Sequence, residues 1–169
     1  MDRQAELRRV LEGPLPGEVS EEFLQRFTFT ADDPRSVISL ARDVLATVLG
    51  PGLVWPDLAQ WRERLPDRFV SACVPKRDPA AADAELTRWS AMTPQEQREY
   101  ESTSAWTLSG WLHWFDPEGD GESRSWQWWD AGLDGPAAGW VDVQVGGHPF
   151  ASGSLEWLLR ASGARDIDS

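Results

Sequence analysis

Residues 126–131 read Trp126-Gln127-Trp128-Trp129-Asp130-Ala131, and residues 140–145 read Trp140-Val141-Asp142-Val143-Gln144-Val145. From Val141 to Val145 of the second stretch apolar and polar residues alternate strictly, the period-two pattern of a strand with one buried face. The first stretch alternates over Trp126, Gln127 and Trp128 and is rich in the aromatic residues that strands favour. Between them lies Gly132-Leu133-Asp134-Gly135-Pro136, longer than a two-residue turn and suited to a wider hairpin loop. Together they predict an antiparallel β-hairpin in the C-terminal half. Strict alternation sends Trp126 and Trp128 to one face and Trp129 to the other with Gln127.

Outward from the hairpin the period becomes helical. Upstream, Thr107 caps a helix from Leu108 to Phe115 in which Leu108, Trp111, Leu112 and Phe115 follow i, i+3, i+4, i+7 spacing. Downstream, Gly146-Gly147-His148-Pro149 ends the second strand. Ser152 or Ser154 then caps a last helix carrying Leu155, Leu158 and Leu159, closed by Gly163. Thr93-Pro94-Gln95-Glu96 is a capping box opening a helix that ends near Ser102. Residues 80–92 form an Ala-rich helix presenting Ala84, Leu86 and Trp89, and Pro56 begins one presenting Leu58, Trp61 and Leu65. Phe69, Val70, Cys73 and Val74 fit a helix or a short strand. Asp33-Pro34 opens the central core helix, with Val37, Ile38, Ala41, Val44, Leu45 and Val48 spread over more than one face before Gly50-Pro51. Ser20 caps a short helix including Phe23, Leu24 and Phe27, and residues 2–12 form a charged helix with Leu7, Val10 and Leu11 on one face.

The expected fold is α+β and mainly α, a single domain over 1–169. Residues 1–92 make a helical layer, 93–163 a Trp-rich helix, the hairpin and a closing helix, and 164–169 a tail. The 169 residues suit one domain, with 41% hydrophobic and 26% charged residues excluding a disordered or fibrous chain. Cys73 has no partner within the chain, so no disulfide framework exists. The net charge of −12 disfavours a nucleic-acid backbone binder. Eight of eleven Trp follow residue 105, and residues 101–169 hold eleven acids against three bases. The aromatic half is thus the acidic half. Arg occurs fifteen times against one Lys, and Asn is absent, a bias that fits a GC-rich bacterial coding sequence. The opening Met1-Asp2-Arg3-Gln4 lacks the apolar run of a secretory leader, and no window is apolar enough to span a bilayer, so the expectation is cytoplasmic.

The runs Leu65-Pro66, Phe69-Val70 and Cys73, then Trp106-Thr107-Leu108, Trp111-Leu112 and Trp114, then Trp126 to Ala131, resemble a family of uncharacterised actinobacterial proteins. The ending Gly147-His148-Pro149-Phe150, Gly153 to Ala161 and Gly163-Ala164 is similar to that family's ending. The resemblance covers about residues 60–164. It implies a bacterial, cytoplasmic protein and brings no activity and no site residues with it.

Chemistry-bearing motifs are few. Asp116-Pro117-Glu118-Gly119-Asp120-Gly121-Glu122 places oxygens at positions 1, 3 and 5 and Gly at 6, imitating a Ca²⁺-binding loop. Position 12 is Gln127, position 8 is Ser123, and a strand follows. A solvated acidic turn therefore accounts better for Asp116, Glu118, Asp120 and Glu122 than a metal site. His113 with Asp116 three residues on is the one pairing that suggests an oriented base and a hydrolase. His148 reads as a turn residue and Cys73 as a small buried hydrophobe. No P-loop, Gly-x-Gly-x-x-Gly, Gly-x-Ser-x-Gly or His-Glu-x-x-His motif occurs, and no cofactor is implied.

The Trp set is the feature to explain. A packed core absorbs most of it, but an outward Trp129 beside Asp130 and Trp140, with Trp126 and Trp128 nearby, would make an aromatic, acidic surface. The leading expectation is a non-catalytic interaction protein docking a basic partner there. The alternative is a binding protein for a small cationic or carbohydrate ligand, ahead of an enzyme.

Overall fold

The computed structural model describes residues 2–50, 54–75, 78–93, 95–96, 100, 104–117 and 124–169. Seven helices are described: α1 (Arg3–Glu12), α2 (Pro34–Leu49), α3 (Leu58–Arg64), α4 (Asp67–Ala72), α5 (Pro79–Ser90), α6 (Leu108–His113) and α7 (Gly153–Ala161). Four strands, β1 (Phe23–Thr30), β2 (Trp126–Leu133), β3 (Ala138–Val145) and β4 (Arg165–Asp168), form one antiparallel sheet in the order β2-β3-β1-β4. The fold is mixed α+β.

The hairpin is present. Trp126 to Trp128 pair with Val145 to Val143, and Val141, Val143 and Val145 are fully buried, as period-two alternation demands. The pairing slips by one residue between Trp128 and Asp130, leaving Trp129 as the extra residue of a bulge. Alternation therefore fails at the one position where the sequence places an outward indole. Trp129 is buried, at 7% exposure.

Two elements differ from the sequence reading. Residues 23–30 are strand β1 in the middle of the sheet, not a helix capped by Ser20. Phe23-Leu24-Gln25-Arg26-Phe27-Thr28-Phe29-Thr30 alternates at its far end, where Phe27 and Phe29 are buried between exposed Thr28 and Thr30. The apolar Phe23 and Leu24, both exposed, mimic a helical stripe with Phe27. Residues 165–168 are strand β4 on the other edge of β1, where a tail is expected. The division into an N-terminal helical layer and a C-terminal hairpin unit is corrected accordingly, because the sheet interleaves strands from both.

Helices α2 and α6 start at their predicted caps, and α3 starts at Leu58 behind Asp57 rather than at Pro56. Asp33 accepts from the Ser36 N–H before Pro34 at N1 of α2. Asp57 and Gln60 form a reciprocal capping box on α3. Thr107 accepts from the Gly110 N–H at 3.0 Å to start α6. Thr93 and Glu96 make the predicted box, with the Thr93 N–H donating to Glu96 at 2.7 Å and the Glu96 N–H to Thr93 at 3.3 Å. Most of the helix expected after it lies outside the described residues. In α5 the expected face is not buried, since Ala84 is exposed, Leu86 is 62% exposed, and only Trp89 is half-buried.

The core lies between the sheet and helices α2, α6 and α7. Val44, Leu45, Val48, Leu155, Leu158 and Leu159 meet Phe27, Val141, Val143, Trp126 and Trp128 there, all at 0–1% exposure. Burying side chains of this size contributes about 1.5–3 kcal/mol each, so this layer dominates stability.

Helix α1 packs on α2 and along the free edge of β2. It does so with polar residues where Leu7, Val10 and Leu11 were expected to form the buried face. Val10 is buried, but Leu11 is 61% exposed while Glu6 and Arg9 are buried. Glu6 accepts from the Trp128 N–H at 2.9 Å, and the Arg9 Nε donates to the Trp128 carbonyl at 3.3 Å. Arg124 closes the arrangement with two hydrogen bonds to Glu6 at 2.8 and 2.9 Å. The helix thus supplies side-chain partners to the backbone groups that an edge strand leaves open.

Candidate functional site

All eleven Trp lie within the described residues, and none is exposed. Trp61, Trp111, Trp126, Trp128, Trp129 and Trp157 are buried, while Trp55, Trp89, Trp106, Trp114 and Trp140 are half-buried. The site expected on the hairpin is built differently from its sequence reading. Trp126 and Trp128 have no exposed surface. Trp129 is covered by Arg9, whose guanidinium carbon sits 4.8 Å from the ring centroid. Trp140 lies over Gly132, where an added Cβ would come within 2.6 Å of the ring. Its other neighbour is the Arg26 guanidinium, 4.1 Å from the ring centroid and forked onto Asp142 by two bonds of 2.7 Å. Asp130 is half-buried, accepts from the Ala131 N–H, and faces Arg42 at 3.6 Å. The chain's own arginines occupy the cation positions over Trp129 and Trp140.

His113 is exposed at the end of α6, and its carbonyl accepts from the Asp116 N–H at 3.4 Å. Asp116 is half-buried, while Glu118, Asp120 and Glu122 lie outside the described residues. No group of three metal-ligating side chains occurs among the described residues. Burial pushes the Cys73 thiol up to about 11, so at neutral pH it is a protonated thiol and a poor nucleophile.

A cleft of about 800 Å³ opens beside α6, and His113 is not among the described residues that line it. Its walls are the 104–107 segment, Gly110 and Trp114 of α6, the 150–156 segment that begins α7, and Val74, Trp89 and Tyr100. Three of the five half-buried indoles, those of Trp89, Trp106 and Trp114, line it together with Tyr100 and Phe150. Trp106 and Trp114 stand with ring centroids 6.3 Å apart and tilted by 56°. Phe150 is fixed edge-on against Phe27 of β1, with centroids 6.1 Å apart.

Local structure positions these rings. The Val74 N–H donates to the Trp106 carbonyl at 3.0 Å, and an isolated parallel bridge joins Val74 to Thr107. That bridge ties the segment after α4 to the entry of α6. Gly153 leaves space for Trp106, since a Cβ there would lie 3.3 Å from the ring. Ser154 anchors the floor. Its carbonyl accepts from Trp111 Nε1 at 2.9 Å and its hydroxyl from Trp126 Nε1 at 3.0 Å, so the start of α7 is pinned to both α6 and β2. Glu156 is the one charged side chain in the described lining, and the Ser152 hydroxyl donates to its Oε1 at 2.6 Å. The sequence reading singled out none of these cleft residues as a site. Its one available signal was Trp106, Trp111 and Trp114 recurring over a short helix with more indole than one buried stripe accommodates.

Compared with known protein families, curated proteins and solved structures, the chain finds no match.

Proposed function

We propose that this protein is a non-catalytic binding protein that takes a small organic ligand into the cleft between the 104–107 segment, α6 and the start of α7. The observation that carries this reading is the aromatic lining. Five rings, those of Trp89, Tyr100, Trp106, Trp114 and Phe150, surround one concave space. Its volume lies in the range of pockets that enclose small molecules. Two neighbouring half-buried indoles in a concave wall are a stacking surface, and the pins at Ser154 hold that wall in place without the ligand. A basic protein docking on the hairpin is less well supported, because Trp126 and Trp128 offer no surface and arginines cover Trp129 and Trp140.

The test is titration of the full chain, by calorimetry and by intrinsic Trp emission, with a panel of small aromatic and alkylammonium compounds and sugars. Saturable binding that weakens at least about tenfold in Trp106→Ala is expected, from loss of one stacking face. Absence of binding across the panel, or equal binding by Trp106→Ala, overturns the reading.

A further inference from the structure

The polar groups of the cleft differ in what they have left to offer. Its hydroxyls are largely engaged internally. Thr107 Oγ1 accepts from the Gly110 N–H at 3.0 Å, Ser154 Oγ accepts from Trp126 Nε1 at 3.0 Å, and Ser152 Oγ donates to Glu156 at 2.6 Å. A sugar needs hydroxyl and amide partners around its whole edge, and these three hydroxyls are already bonded within the chain. Glu156 Oε1 takes the Ser152 hydroxyl, whereas its Oε2 has no hydrogen-bond partner among the described residues. Arg160, one turn along α7, lies outside the cleft lining; burial lowers its pKa and the charge of Glu156 raises it, so the two attract each other from behind the wall. No cation lines the described walls.

We infer that the ligand of this cleft carries one positive charge, an alkylated ammonium group on an apolar or aromatic body, and that Glu156 is its counter-charge. The inference rests on the binding reading above and names the ligand class for that site. Aromatic faces and one carboxylate attract a weakly hydrated cation through ring quadrupoles and Coulomb attraction, without directional donors. Trp106 and Trp114 supply the faces, and the Ser152 hydroxyl fixes one oxygen of the Glu156 carboxylate in the same lining. The body of the ligand fills the apolar remainder beside Val74 and Phe150.

A matched pair of probes tests this. Benzyltrimethylammonium and neopentylbenzene share a shape and differ in charge. Each is titrated against the full chain, its Glu156→Gln variant and its Trp106→Ala variant. The expected result is that the wild type prefers the cation by about tenfold or more, the effect of one close opposite charge in a partly dry site. Glu156→Gln loses most of that preference, keeping only the part the rings supply, yet binds neopentylbenzene unchanged, and Trp106→Ala weakens both probes. Equal binding of the two probes by the wild type, or a preference that Glu156→Gln leaves undiminished, overturns the charge inference and leaves the cleft reading standing. Failure of both probes to bind the wild type sinks the cleft reading and the inference with it. Should Glu156→Gln lose its cooperative melt, Ser152→Ala replaces it, with a reduced preference for the cation expected and an unchanged preference counting against the proposal.

Discussion

Glu6 joins one backbone amide of the edge strand to a buried guanidinium. It is fully buried, accepts the Trp128 N–H, and holds Arg124 in a two-pronged ion pair. Arg124 in turn lies over the rings of Phe115 and Trp126, at 4.4 and 5.0 Å from their centroids. Removing the carboxylate strands a buried guanidinium and a buried amide together. Glu6→Ala is expected to lower unfolding free energy by about 3–5 kcal/mol, the cost of breaking a buried pair from one side. Urea titration of the two proteins measures it. Glu18 offers a contrasting case nearer the solvent. Its carboxyl is held down to about 2 from an ordinary 4.5, first by the Leu15 N–H and then by the Arg8 guanidinium, with Arg9 adding to it. The folded state therefore favours the ionised form. Its contribution is complete above about pH 4.5 and drains away as pH falls toward 2. Thermal melts should show wild type above Glu18→Gln at pH 7, with the gap closing between pH 4.5 and pH 2. A gap that persists unchanged to pH 2 contradicts this.

At the scale of elements, what was legible followed the strength of local signals. Helices α1, α2, α3, α6 and α7 and the hairpin announce themselves through caps and periods that tertiary packing leaves intact. Strand β1 does not, because its first residues, Phe23 and Leu24, are exposed and break the alternation that Phe27 and Phe29 obey. Strand β4, four residues of which three are charged, carries too little apolar pattern to be read and owes its strand form to the partner it meets. The bulge at Trp129 is invisible in sequence for a similar reason, since only pairing against β3 reveals the extra residue. The cleft was hidden because its walls come from segments far apart in the chain, and no single run of residues spells it. Helix α1 yields the prediction proper to this scale. Its Glu6 and Arg9 occupy the outward backbone groups of Trp128 on the edge strand. Deleting residues 1–12 should uncover that edge, and light scattering at a fixed protein concentration should rise above that of the full chain. A truncated chain that scatters no more than the full one refutes this role.

At the scale of the molecule, the charge of −12 is spread over a chain whose acidic half also builds three of the sheet's four strands. That figure is what is left after sixteen basic side chains offset sixteen of the 28 acids, some of them in pairs such as Arg26 with Asp142 and Arg124 with Glu6. The remainder repels itself, and salt screens it over a Debye length of about 10 Å at 0.1 M. Raising NaCl from about 10 to 200 mM should lift the melting temperature by about 2–4 °C, the shift of roughly 1 kcal/mol in a chain of this size. A fall would mean that screened attractive pairs outweigh the repulsion. The position of β1 has a consequence in time. Its inner partner is β3, and the Arg26–Asp142 pair joins residues 116 positions apart. The sheet cannot close until that loop does, so the entropy of bringing distant segments together falls early on the folding route. During synthesis β1 leaves the ribosome long before either neighbour exists, and it waits as an unpaired strand with Phe27 and Phe29 bare. The protein should accordingly fold after, rather than during, most of its own translation, and the exposed apolar face of β1 is the segment a chaperone would meet in that interval.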